Sequence, residues 1–456
     1  MTQEDFLVIG AGLAGSEAAL TLANAGARVK IFEQKPKVFS AAHKLPGAAE
    51  LVCSNSLKST ELSSAHGLLK EELRLLNSPL IELAHQARIP GGKALTVERE
   101  KFSSLVTTAL KSHPLITFCE EQVSELPEDK KTLIASGPLT SDGLIKNILK
   151  ICNDDGLYFY DATSPVVYLE SLDMEKLFWA NRWDASGLDE SKDDYLNLPL
   201  NREEYLKFRE NVLAAEKTES HIAGEELAYF EGCLPIEELA RRGEDTLAFS
   251  CMRPIGFQSH LPKRAHAVIQ FRRERAAGEL LNMVGFQTRM KWPEQEKVFR
   301  QLPGMEKAEF ARLGAMHRNT FINSPLHLNE KLQIKRAPHL FMAGQITGSE
   351  GYTEAIATGH YAAMAMLGAE NLPATTAMRS LVRYMITSDP KHFQPMNFNF
   401  GLLPELGFKI KERGQKKQTK SERNQIRSER SLKDLKEWIS EPKSQMPFKN
   451  SWSKTA

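Results

Sequence analysis

The chain has 456 residues, 41% of them hydrophobic and 26% charged, a balance that excludes a disordered polymer and lets a core form without staples. Lys plus Arg number 59 against 58 Asp plus Glu, for a net charge of +1; this excludes a globally basic nucleic-acid binder but not a local basic face. The five cysteines show neither CxxC nor Cys/His metal spacing, which argues for reduced thiols and no metal rather than a disulfide framework.

At about 150 residues per domain the length predicts two or three domains. Phe6-Leu-Val-Ile9 reads as a buried strand running into glycines, with no signal peptide before it. Ser16–Asn24 predicts an Ala- and Leu-rich helix with Gly26 at its C-terminus, and Arg28–Glu33 the next strand, completing one βαβ unit. Residues 66–88 and Glu98–Lys111 read as helices, Thr132–Ala135 as a short buried strand, and Ser141–Ile151 as a helix. From about 160 to 310 aromatics and prolines become frequent, and Ala265–Phe271 and Leu281–Thr288 read as strands of an inserted unit. Leu340–Ala343 is again a buried strand running into Gly344, followed by an Ala-rich helix over Thr353–Leu367.

The expected fold class is therefore α/β: a Rossmann-like, glutathione-reductase-type FAD-binding domain from residues 1–165 and 310–408, with a mixed α+β domain inserted over 166–309. Lys409–Arg430 carries nine Lys or Arg against three Glu and reads as a solvated helix or tail, within a basic, polar C-terminal tail expected over residues 409–456. A charge run of this kind is more often a solvated face than a binding site. With no apolar run of about 18 residues to cross a membrane, a cytoplasmic protein is expected.

Gly10-Ala11-Gly12-Leu13-Ala14-Gly15 follows a strand and opens a helix. Its glycines permit a tight turn, close approach of a pyrophosphate and close helix–strand packing, while the helix N-terminus favours phosphate charge. Glu33 ends the second strand, where a carboxylate accepts ribose hydroxyls. A lone GxGxxG is weak evidence; with strand, helix and terminal acid in place it is specific. FAD is favoured over NAD because later segments rebuild the same domain. In addition, Gly344 and Gln345 of GQITG offer a second strand-to-helix turn for the flavin, although spacing alone leaves that turn as readily an ordinary one. No second GxGxxG occurs, so a nicotinamide reductant has to visit the flavin face.

Cys53, in ELVCSNS, lies among small polar residues that read as a loop or helix start. Cys233, in FEGCLP, lies between a Gly and a Pro. Both settings suit a reactive thiolate about as well as an inert thiol. Cys119, Cys152 and Cys251 read as small buried hydrophobes. Met316–Phe321 (MHRNTF) gathers groups able to hold an anionic or glutamate-tailed ligand, yet spacing alone favours a surface strand. Arg272-Arg273 and the basic stretch from Lys409 are candidates for RNA phosphates.

The segments VIGAGLAGSEAAL, AELVCSNSLKS, FEGCLPIE, VGFQT, MHRNTFINSP, AGQITGSEGYTEA and FQPMNFNFGLLPEL together resemble the folate- and FAD-dependent tRNA (uracil-5-)-methyltransferases. The resemblance runs collinearly from about residue 5 to about 410. It implies FAD as cofactor, methylenetetrahydrofolate as carbon donor, NAD(P)H as reductant and 5-methyluridine in the T-loop of tRNA as product. It also implies Cys53 and Cys233 as the catalytic cysteines: Cys233 as the nucleophile adding at uracil C6, Cys53 as base or supporting thiol, with the order of the two roles open. His317, Arg318 and Glu350 become candidates for folate and substrate, His317 by stacking on the pterin. A uridine of ribosomal RNA is an alternative target. A flavin thiol oxidoreductase using the two cysteines as a redox pair is a second alternative, disfavoured because they lie far apart in sequence.

Overall fold

A computed structural model describes residues 5–154, 157–218, 234–261, 265–406 and 419–441. Strand β1 (Asp5–Ile9), helix α1 (Leu13–Asn24) and strand β2 (Arg28–Glu33) form the expected βαβ unit, with β1 and β2 parallel and Val8 opposite Ile31. Four further strands complete a six-stranded sheet. Its order is Gln333–Ile334, Ala337–Met342, Thr132–Ile134, β1, β2 and Ile116–Glu120. All neighbours pair in parallel except the short edge strand Gln333–Ile334. Val8, Ile31, Leu133 and Leu340 are buried in its core, as the continuous apolar runs of a doubly covered parallel sheet require. Ala337–Met342 pairs with Thr132–Ile134, so the chain returns to this sheet after a long excursion.

That excursion forms a second, antiparallel six-stranded sheet. It runs in the order Phe178–Trp179, Tyr195–Leu200, Ala267–Arg273, Leu280–Met283, Val166–Tyr168 and Phe310–Arg312. It has a core of its own around Phe208, Phe271, Phe286 and Phe299. Phe310–Arg312 still pairs with Val166–Tyr168, so the return expected at residue 310 comes slightly later. The strand read over Leu281–Thr288 stops at Met283, because Gly285 takes φ +77°, outside the strand region. A ribbon of Leu157–Ala162 against Met316–Phe321 joins the two sheets.

The helical stretch read over 66–88 is two helices, α2 (Ala65–Leu75) and Pro79–Gln86. Asn77 takes φ +57°, the Ser78 hydroxyl accepts from Ile81 N, and Pro79 has no N–H with which to continue the earlier helix. The Ala-rich helix spans Tyr352–Met366 and packs on α1. A Cβ on Gly359 would lie 2.2 Å from the Ala14 carbonyl oxygen, which is why this crossing needs glycine. Buried His360 and Glu17 join the same two helices, with Nδ1 2.7 Å from Oε1.

The basic stretch takes the helical one of its two expected forms but is not wholly solvated. Lys420–Ser440 is a helix with one face buried on the protein, including Leu432, Leu435 and Trp438. Its first turns bury polar rather than apolar side chains: Asn424 Nδ2 donates to Ser63 O and Ser428 Oγ to Leu62 O. A hydrophobic periodicity search cannot see such a face. The rest of the expected tail, 409–418 and 442–456, lies outside the described residues.

Candidate active site

Gly10 takes φ +97° at the end of β1, a conformation open to glycine at little cost. A Cβ on Gly15 would lie 1.9 Å from the Gly10 carbonyl oxygen, whereas one on Gly12 would meet nothing within 4 Å. Gly15 therefore allows α1 to sit on the strand, and Gly12 leaves a gap in front of the helix. No side chain caps the α1 N-terminus, so its orphan N–H groups face that gap. Ala11, Gly12, Leu13 and Ala14 line the cleft there, with Glu33 beside them. The Glu33 carboxylate accepts from Ala11 N at 2.9 Å and Lys35 N at 3.0 Å, which fixes it and leaves lone pairs for hydroxyls.

Gly344 and Gln345 line the other side of the same cleft. They do not open the Ala-rich helix directly. Gln345–Thr347 is a single 3₁₀ turn, and the helix begins at Tyr352 behind Gly351 (φ +110°), again without a side-chain cap. Two uncapped helix N-termini thus face one cleft. With the open space before Gly12 and the anchored Glu33, they fit a dinucleotide with a pyrophosphate at its centre. The Gln345 amide donates to the Glu350 carboxylate at 2.6 Å, and Asn397 Nδ2 donates to the Glu350 carbonyl at 2.7 Å. Gln345 and Glu350 therefore stand in the cleft as one hydrogen-bonded unit.

Cys53 lines this cleft. It lies in the loop before strand β3 (Ser56–Ser59), not at a helix start. Its loop is held from three directions. The Cys53 and Ser54 N–H groups both donate to the Tyr352 hydroxyl, at 2.8 and 3.1 Å. The Arg99 guanidinium donates to the carbonyls of Leu51, Val52 and Cys53 while it pairs with Glu274 at 2.8 Å. Asn55 exchanges hydrogen bonds with Arg272 and Arg273. The thiol is directed to the Ala162 carbonyl at 3.8 Å. Burial and the adjacent Cys53 push the Tyr352 phenol well above its ordinary range, so it stays protonated while accepting both N–H groups. His66 also lines the cleft, with Nδ1 3.3 Å from Glu354 on the Ala-rich helix.

Cys233 lies outside the described residues. The chain resumes at Leu234, and Ile236 N donates to the carbonyl of Gln287, which lines the cleft. His317 and Arg318 lie on the strand Met316–Phe321, opposite Asp161 and Tyr160; their side chains are outside the described set. Their neighbour Asn319 is buried and lines the cleft. Burial pushes the thiols of Cys152 and Cys251 up to about 11, in keeping with inert cysteines. Tyr352, Arg99 and Asn55 escaped the sequence reading. Tyr352 lies within a quoted segment, GYTEA, whereas nothing local marks Arg99.

The family model described as "Glucose inhibited division protein A" matches residues 5–371. A methylenetetrahydrofolate–tRNA-(uracil-5-)-methyltransferase TrmFO from Carboxydothermus hydrogenoformans is 50% identical over 438 residues, covering 95% of this chain and 98% of that protein. The TrmFO of Acetivibrio thermocellus is 47% identical over 440 residues, with shares of 95% and 98%. Among solved structures, Aquifex aeolicus GidA in its form I crystal covers 98% of this chain and 78% of its own, at a TM-score of 0.65 and 15% identity. That last likeness establishes the fold.

Proposed function

The chain belongs to the glucose inhibited division protein A family and, within it, to the TrmFO methyltransferases, and from that membership we propose that it methylates uracil C5 in the T-loop of tRNA. FAD is the cofactor, methylenetetrahydrofolate the carbon donor and NAD(P)H the reductant in this reading, and the protein works in the cytoplasm. Among the described residues no helix is long and apolar enough to cross a membrane. The observation that carries the reading is that the dinucleotide cradle and the clamped Cys53 line one cleft.

When bound, reduced FAD supplies the hydride that takes a methylene to the methyl level. The chain's own residues do the rest. Gly12 and the α1 N-terminus receive the pyrophosphate, and Glu33 receives ribose hydroxyls. The Cys233 thiolate adds to uracil C6, and the C5–C6 electron pair moves onto O4 as an enolate. C5 then bonds to the methylene carbon, whose bond to the donor nitrogen breaks with its electron pair leaving on nitrogen as the hydride arrives at carbon. Cys53 takes the proton from C5, and departure of the Cys233 sulfur from C6 restores the double bond. Tyr352 and Arg99 keep Cys53 in place by holding its backbone. His317, Arg318 and the Gln345–Glu350 unit are assigned to the folate and the base.

The test supplies methylenetetrahydrofolate labelled in its methylene carbon, NADH or NADPH, and unmodified tRNA or ribosomal RNA transcripts, followed by nucleoside analysis. Label in 5-methyluridine of tRNA that requires both folate and reductant is expected. Label arriving from S-adenosylmethionine would overturn the mechanism, because a sulfonium methyl needs no hydride. Label confined to ribosomal RNA would overturn the target.

A further inference from the structure

We propose that the stripe Lys420, Arg423 and Arg427, together with the N-terminus of α2, forms a binding site for a backbone phosphodiester of the RNA substrate, immediately beside the active cleft. The three cations lie at i, i+3 and i+7 of the helix Lys420–Ser440, hence on one face. They line a cavity with Ser63, Ser64, Ala65 and the turn Asn399–Gly401.

Register is set by the residues next door. Asn424 and Ser428 bond to the carbonyls of Ser63 and Leu62, which holds the arginines preceding each of them over the start of α2. Ser64 caps only Gly67 N, so other first-turn N–H groups remain for an anion.

Among the described residues none of the three cations is in an ion pair, and the Nε atoms of Arg423 and Arg427 are buried without a hydrogen-bond partner. Nearby carboxylates are already committed. Glu422 caps Thr419 N, Glu429 accepts from Gln425, Glu61 pairs with Lys93, and Glu71 with Arg74. Arg430, one turn on, also has a buried, unpartnered Nε, but its two terminal nitrogens donate to the carbonyls of Glu405 and Pro404, which makes it structural. Half-buried guanidinium groups, each with an unpartnered Nε, beside a helix N-terminus present donors that phosphate oxygens can satisfy.

Position selects RNA as the source of the phosphate. Ala65 lines this cavity and the next residue, His66, lines the active cleft; Asn399 lines the cavity and Asn397 the cleft. A nucleotide in the cleft therefore has its flanking backbone within reach of Arg423 and Arg427. The inference rests on the reading that the substrate is RNA, and the test separates the two.

Binding of unmodified tRNA transcript to the flavin-loaded full chain is followed by anisotropy across a salt series. The double substitution Arg423→Gln/Arg427→Gln is expected to weaken binding at least tenfold. It should also reduce the slope of log affinity against log salt by about 1.4 to 1.8, for two contacts at roughly 0.7 to 0.9 each, with flavin content unchanged. Unchanged affinity and slope would overturn the site. A wild-type protein that binds no tRNA would instead overturn the function reading. If the double variant does not fold, exposed Lys420→Gln and hydrogen exchange of the wild type take its place. The transcript is then expected to slow exchange in 63–67 and 419–427, and unaltered exchange in both would equally overturn the site.

Discussion

Tyr352→Phe isolates the contact that most directly sets the position of Cys53. The substitution keeps the ring and removes one oxygen, which accepts from Cys53 N at 2.8 Å and Ser54 N at 3.1 Å. A buried N–H left without an acceptor costs about 1–3 kcal/mol. Both would be orphaned, but the loop borders the cleft and can turn toward water. Arg99 and Arg312 still hold the carbonyls of Leu51, Val52 and Cys53, so the loop shifts rather than unravels. A net cost of about 2 kcal/mol for the native loop position corresponds to roughly a 30-fold loss of the competent arrangement, at 1.36 kcal/mol per factor of ten. Methyl transfer under single-turnover conditions is therefore expected to fall about 30-fold. Flavin content, measured from the visible spectrum after denaturation, should stay near wild type, because the pyrophosphate cradle is formed by α1. Wild-type turnover in Tyr352→Phe would refute the positioning argument.

The two fingerprint glycines are expected to separate. Gly12→Ala places its Cβ in empty space, so the apo-protein should melt within about 0.5 kcal/mol of wild type yet lose flavin; Gly15→Ala drives a Cβ onto the Gly10 carbonyl and should lose both flavin and thermal stability. Cys233→Ala should abolish methyl transfer and any covalent protein–RNA adduct on denaturing gels while retaining flavin, and Cys119→Ala should be close to silent; near-wild-type turnover in Cys233→Ala would pass the nucleophile role to Cys53. Lys70, buried and donating to Leu57 O, has its pKa pushed by desolvation from 10.5 down to about 7. Between about pH 7 and 10.5 the folded chain thus holds fewer protons than the unfolded one, and stability should rise with pH by up to about 1.4 kcal/mol per unit. Urea unfolding of Lys70→Met at pH 7.5 and 9.5 should lack that increment, and a parallel pH response in both proteins would discard the assignment.

What the sequence determined by itself was local. β1, α1 and β2, the glycines between them and the acid at the end of β2 lie within one βαβ unit, so periodicity and turn chemistry specify them without reference to the rest of the chain. The short strands Thr132–Ile134 and Ala337–Met342 were legible as apolar runs ending at glycines, but their adjacency in one sheet depends on a long excursion that no local pattern encodes. The clamp on Cys53 was invisible for the same reason. Tyr352, Arg99, and the pair Arg272 and Glu274 reach it from three separate stretches of chain, and each is an ordinary residue until burial leaves it a single set of partners. The basic stretch shows the limit most plainly. The polar residues among its cations read as part of one solvated face, because solvation is the usual fate of a charged stretch. Only the tertiary structure decided otherwise, by giving Asn424, Ser428 and Ser431 buried hydrogen-bond partners on Ser63, Leu62 and Glu72: a face can dock through satisfied polar groups, and polar satisfaction is a property of the neighbours rather than of the sequence that carries it.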